Sequence, residues 1–186
     1  MTPERAEREI SNELDAGERI LWAGAPPQGL FVRGHDAFLI PVSLLWGGFV
    51  VFWVAMAVSH NTPAFFWLWG VPFLAAAFYM VAGRFMVDAS QRSRTAYGVT
   101  DRRIVIISGI FSRTLKSLPL RAMSDLTIRA RPNGTGTIVF GPMHPMMHMY
   151  GTGWPGLGNV AVPMFDSIPR AKEVYATIRQ AQERAR

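Results

Sequence analysis

The sequence predicts a membrane α-helical hairpin joined to an all-β domain of short antiparallel strands, which a C-terminal α-helix caps. Three observations carry this expectation. Residues Ala37 to Gly83 contain no Asp, Glu, Lys or Arg, and Asp36 and Arg84 bound them. β-branched runs punctuated by Gly and Pro follow from Thr95. An amphipathic run rich in Ala, Val and Ile closes the chain.

The segment 1–36 opens on Thr2-Pro3-Glu4, a helix start, and Ala6, Ile10 and Leu14 recur at i, i+4 and i+8 on one face. Four Arg stand here against seven acids, whereas residues 84–186 carry fifteen Lys and Arg against six acids. The preferred reading is that the acidic helix docks on the basic rear domain, with salt-sensitive energy; a partner's basic surface is the alternative. Pro26-Pro27-Gln28-Gly29 turns the chain toward Leu30-Phe31-Val32 at the membrane interface.

His60-Asn61-Thr62-Pro63 divides the charge-free stretch into spans 37–59 and 64–83. A bilayer core needs about 20 apolar residues as a helix, and both spans supply that. A secretory signal does not fit, because the apolar run starts late and follows an acidic segment. Lys and Arg near the span ends set orientation. Arg19 and Arg33 precede the first span, Arg84, Arg92, Arg94, Arg102 and Arg103 follow the second, and the connecting loop has none. Both termini are therefore expected in the cytoplasm, with the chain multi-pass and only a few residues exposed outside. Phe65, Phe66, Trp67 and Trp69 fall at the outer interface. Pro72 is expected to kink the second helix, and Gly47, Gly48 and Gly70 to let the helices approach. Neither span holds an ionisable group suited to an ion or proton pathway, so the hairpin reads as an anchor.

Behind the hairpin, residues 84–186 form the second aqueous domain. Thr95–Thr100, Arg103–Ser108, Phe111–Leu118, Asp125–Arg131, Thr137–Phe140 and Val160–Val162 read as strands. Asp101-Arg102 and Pro132-Asn133-Gly134 read as turns. In Asp125–Arg131, Leu126, Ile128 and Ala130 share one face. An insertion rich in Gly, Pro and Met covers 141–158. The closing helix is expected from about Pro169, with Ser167 as its cap and Ala171, Val174, Ile178, Ala181 and Ala185 as its apolar stripe.

Five stretches together resemble the bacterial pleckstrin-homology-like (PH-like) domains attached to short membrane hairpins. They are Leu14-Asp-Ala-Gly-Glu-Arg-Ile-Leu-Trp-Ala-Gly24, Tyr97-Gly-Val-Thr-Asp-Arg-Arg-Ile-Val105, Ser117-Leu-Pro-Leu120, Gly136-Thr-Ile-Val-Phe-Gly141 and Phe165 through Ile168. The resemblance implies a PH-like barrel or sandwich of about seven antiparallel strands, strongly bent and capped by the C-terminal helix. Six strands are read behind the hairpin, and Arg19-Ile-Leu-Trp-Ala23 is the candidate for another, returning across the hairpin base. The resemblance also implies a lipid- or protein-binding scaffold in the bacterial inner membrane, not an enzyme.

The basic residues Arg102, Arg103, Arg113, Lys116 and Arg121 surround two early strand connections and are the candidates for lipid or partner contact. Nonspecific attraction of a basic surface to anionic lipid competes with that reading. Met143, His144, Met146, Met147, His148 and Met149 form a thioether and imidazole cluster of the kind that suits Cu(I). The same side chains also read as flexible apolar packing, so no metal or cofactor is assigned. Gly151-Thr-Gly-Trp-Pro-Gly156 matches the dinucleotide fingerprint as a string, but Pro155 and the lack of a βαβ context remove it. With no cysteine, thiolate chemistry is excluded. The basic charge comes without a nucleic-acid reading motif, so nucleic acid is not a partner. The function expected is a membrane-integral binding or scaffold module with a protein partner or homo-oligomer. The alternatives are anionic-lipid sensing through the Arg cluster and a Cu(I) response through the Met/His loop.

Overall fold

The computed structural model describes residues 1–29, 36–110, 112–123, 125–141 and 163–185. The chain forms two compact units, Met1–Gly29 with Asp88–Arg186, and Leu30–Val87.

In the first unit, helix α1 (Pro3–Ser11) precedes strand β1 (Ile20–Gly24). Strands β2 (Ala96–Thr100), β3 (Arg103–Ser108) and β4 (Thr114–Pro119) follow, and all neighbours pair antiparallel in the order β1-β2-β3-β4. A 3₁₀ turn at Leu120–Ala122 leads to a second antiparallel sheet of β5 (Leu126–Ala130), β6 (Gly136–Phe140) and β7 (Met164–Ile168). The seven strands of the described residues, in sheets of four and three with a C-terminal helix, are consistent with the expected PH-like fold.

The period-2 pattern explains the layers. Tyr97, Val99, Ile104 and Ile106 point into a core with Ile138, Phe140, Phe165 and Ile168 of the second sheet. Phe165 is the centre of that core. Tyr97 stacks on it at 4.7 Å, Phe140 meets it edge-on at 4.8 Å, and Trp22 of β1 lies 5.5 Å away. The alternate residues, Ala96, Val105 and Ile107, face outward but are also buried, because Ala6 and Ile10 of α1 cover them. Sheet residues with apolar side chains on both faces thus need the N-terminal helix. Gly98 makes the fit possible: a Cβ there would lie 2.8 Å from Ile10.

The final helix, here α4, runs Ala171–Ala185 and buries Ala171, Val174, Ile178 and Ala181. The stripe matches the expectation, but the cap does not. Ser167 belongs to β7 with φ of 52°, and its hydroxyl donates to Asp166 Oδ1. Two residues with positive φ, Ser167 and Arg170, turn the chain before the helix begins. β4 starts at Thr114 and not at Phe111, because Gly109 makes a tight turn. Its φ is +140°, and a Cβ would lie 1.7 Å from the Ser112 carbonyl oxygen. The Val160–Val162 strand expectation lies outside the described residues.

The second unit contains α2 (Asp36–Ser59) and most of α3, a helix running Ala64–Ser93. Both are long and apolar enough to cross a membrane, with mean hydropathy 2.1 and 1.7 over their most apolar windows. Only 17% and 11% of those windows are buried within the chain, so the helices leave broad apolar surface uncovered. The loop between them forms as its residues dictate. Asn61 takes a left-handed φ of 51°, and Thr62 returns its hydroxyl to the Ala57 carbonyl at 2.6 Å. In α3 the α-helical pattern breaks at Trp69, since Pro72 has no N–H for the Leu68 carbonyl. A π-helical turn follows at Tyr79–Gly83. Gly70 packs against Trp53 and Val54, and Gly47 against Ala77, whereas Gly48 has no neighbour within 4 Å of a Cβ. Two of the three expected glycines therefore serve helix approach. The charges that bound the apolar stretch close on each other: Arg84 Nη2 lies 3.2 Å from Asp36 Oδ1, and both side chains are largely buried.

Candidate functional site

The first sheet has two ends, and its basic residues divide between them. At one end lie the β2–β3 turn and the 3₁₀ turn, joined by the Leu120 N–H to the Arg102 carbonyl at 3.0 Å. Arg102, Arg103 and Arg121 belong here. At the other end lie Gly24, Ala96, Ser108 and Thr114, aligned by strand register. Here the chain leaves β1 for the apolar helices and returns to β2, and Arg113 belongs to this end. β3 separates the two by about 17 Å. Lys116 lies between, opposite Ile106. The five basic residues named from the sequence are therefore not one cluster.

Arg103 is committed to an internal bracket. Its Nε and Nη2 reach Oε1 and Oε2 of Glu18 at 2.9 and 2.8 Å, a two-pronged pair. Nη2 also donates to the Glu13 carbonyl at 2.9 Å and lies 3.1 Å from Asp15 Oδ2. Glu18, whose side chain is fully buried, accepts from the Thr100 hydroxyl at 2.7 Å and the Asp15 N–H at 2.8 Å. Burial alone would raise its pKa. The Arg103 hydrogen bonds, the Asp15 N–H and the Thr100 hydroxyl outweigh burial and hold the carboxyl down at about 2. Asp101 adds a second tie, accepting from the Arg19 N–H at 3.0 Å. The stretches around Glu18 and Arg103, far apart in sequence, are one structural joint. Arg102 and Arg121 remain exposed at this end.

At the opposite end α1 meets the β3–β4 turn. Arg113 Nη2 lies 3.1 Å from Glu9 Oε2 and 3.0 Å from Glu13 Oε1, and the arginine is half exposed. The acidic helix does dock on the basic domain, through apolar contact framed by these pairs. Beside them opens a groove of about 460 Å³, lined by Arg5, Glu9, Arg94, Ser108, Ser112 and Arg113 among others. Arg94 is pinned across it by its Nη1 donating to the Ile110 carbonyl. Sequence reading did not find this groove. Its arginines come from three separate segments, and only the docking of α1 brings Arg5 to the others.

A second feature the sequence did not reveal lies where the insertion leaves the first unit. Arg92, deeply buried, donates to the Pro27 carbonyl at 2.9 Å and the Gly29 carbonyl at 2.7 Å. It also pairs with Asp88 at 2.8 Å. Gln28 Nε2 donates to the Pro26 and Arg92 carbonyls. The outgoing chain and the returning helix are thereby clamped side by side. Asp88 lies within α3, one turn before Arg92. The Met143, His144, Met146, Met147, His148 and Met149 candidates lie outside the described residues. Among the described residues no group of three His, Asp or Glu side chains is arranged to hold a metal ion.

Comparison with known proteins agrees with the fold. The bacterial PH domain family matches residues 37–182, which is most of the chain. No curated protein and no solved structure matches it.

Proposed function

The chain belongs to the bacterial PH domain family, and from that premise we propose that it is a membrane-anchored scaffold presenting its β-domain at the cytoplasmic face of the bacterial inner membrane. PH-like domains serve as binding modules, and the reading as a module rests on that family alone. One observation carries the anchoring. The two uncovered apolar helices are an insertion between the paired strands β1 and β2. If they cross the bilayer, the sheet is tethered to it at two points, and the Arg92 clamp shortens both tethers. The expected topology is two spans, 37–59 and 64–83, between aqueous segments 1–36 and 84–186, with both termini cytoplasmic. The Arg-rich flanks of the spans support that orientation.

The occupant we favour is a protein partner or a second copy of the chain. Arg102 and Arg121 are exposed at the strand ends opposite those that the insertion joins, and are free of the ion pairs that occupy Arg103. Arg103 contributes by holding that end rigid through Glu18. Light crosslinking in native membranes, followed by purification in mild detergent, tests this. A partner or homo-oligomer at fixed stoichiometry is expected, and Arg102→Glu with Arg121→Glu should weaken it. A clean monomer would overturn the scaffold reading.

A further inference from the structure

We propose that the groove between α1 and the β3–β4 turn is a binding site for a phosphate-bearing anion, with Arg5, Arg94 and Arg113 as its cationic ligands. The inference does not depend on the scaffold reading. Three guanidinium groups line the groove against one carboxylate, Glu9. Arg5 makes no side-chain ion pair among the described residues. Arg94 uses one nitrogen on the Ile110 carbonyl, which fixes the plane of its fork and leaves its other donors for a ligand. Arg113 is half exposed while it pairs with Glu9 and Glu13.

Ser108 also lines the groove, where its hydroxyl can donate to an anion oxygen. Planar guanidinium forks match the oxygens of a phosphate better than an ammonium does. The volume, about 460 Å³, holds a phosphate ester with part of its alcohol.

The site is a property of this chain's N-terminal helix. Arg5 and Glu9 precede the residues that the family matches, and the groove lies on the outer side of the sheet, beside the face that α1 covers. Glu9 gives it an internal competitor: a bound anion takes over Arg113 as Glu9 releases it. The groove also lies at the strand ends from which the apolar insertion leaves. The phosphate therefore has two sources, a lipid headgroup and a soluble phosphate ester, which share this chemistry.

The test uses the full chain. In neutral detergent it is titrated with inorganic phosphate and with glycerol 3-phosphate while thermal unfolding is followed. In parallel it is reconstituted in phosphatidylcholine nanodiscs with and without phosphatidic acid. A saturable rise in the unfolding midpoint is expected in at least one arm. A response to the soluble anions identifies a soluble ligand, and a response confined to phosphatidic acid identifies a headgroup. Arg5→Gln, at an exposed position with no ion pair to lose, should weaken the response about tenfold, the loss of one charge-assisted contact. Arg94→Gln should weaken it further. Arg179→Gln, at an exposed position of α4, should leave it unchanged. Silence in both arms, or equal weakening by Arg179→Gln, would overturn the proposal.

Discussion

At the scale of single residues, the Glu18–Arg103 pair decides how the N-terminal segment is held. Two buried charges gain little over an apolar pair, but removing one partner strands the other, at a cost of about 3 kcal/mol or more. Glu18→Gln should therefore lower the unfolding midpoint of the first unit at pH 7, as measured by calorimetry in neutral detergent. The pH dependence has a definite sign. The folded carboxyl titrates at about 2 and its reference value is 4.5. Its contribution is thus complete above pH 4.5 and lost as the pH falls toward 2, amounting to at most about 3 kcal/mol. The wild-type midpoint should approach that of Glu18→Gln across this window. Equal midpoints at pH 7 would show that the pair does not hold the joint. Sequence alone made Arg103 one of five surface cations, because nothing local marks a partner 85 positions away.

At the scale of elements, the strands were legible wherever alternation or a β-branched run met a turn signal. Arg103–Ser108 and the turn at Pro132-Asn133-Gly134 stand where the pattern placed them, and Gly134 has the positive φ that the turn needs. The start of α4 was not legible. Ser167 has the chemistry of a cap, but its hydroxyl is held by Asp166 within β7. The docking of α1 was legible as charge complementarity, yet its seat is apolar. Ile10 rests against Gly98, where an added Cβ would lie 2.8 to 3.0 Å from three of its carbons. Gly98→Ala should therefore loosen α1, seen as faster amide exchange in residues 3–11. Ile10→Ala alone should cost about 2–4 kcal/mol by leaving a cavity. Combined, the two substitutions should cost less than their sum, because the new methyl group fills the space Ile10 vacates. Strict additivity would mean that Ile10 does not seat on Gly98.

At the scale of the whole molecule, the sequence separated a charge-free segment from everything else, and the same residues, Asp36 and Arg84, close the pair of apolar helices at 3.2 Å. The order of pairing was expected from the resemblance alone, which asks for a seventh strand and makes Arg19–Ala23 the candidate that returns across the base of the hairpin. β1 precedes those helices and β2 follows them, yet the two are hydrogen-bonded neighbours with Gly24 opposite Tyr97. An insertion flanked by paired strands returns to the place it left. Two spans satisfy that in a bilayer, since an even number brings the chain back to the starting side. If both helices cross, we expect the aqueous segments before and after to share one side and the loop at residues 60–63 to lie on the other. The chain contains no cysteine, so single cysteines placed at Asn61 and at Lys172 report without background. In spheroplasts, a membrane-impermeant maleimide should label Asn61→Cys in intact cells, and Lys172→Cys only after lysis. Labelling of Lys172→Cys before lysis would invert the topology. Protection of both sites before lysis, with release of the protein by alkaline carbonate, would show that the helices do not cross the bilayer. The paired strands would then be joined around a soluble helical hairpin, and the uncovered apolar faces of α2 and α3 would need another protein to cover them.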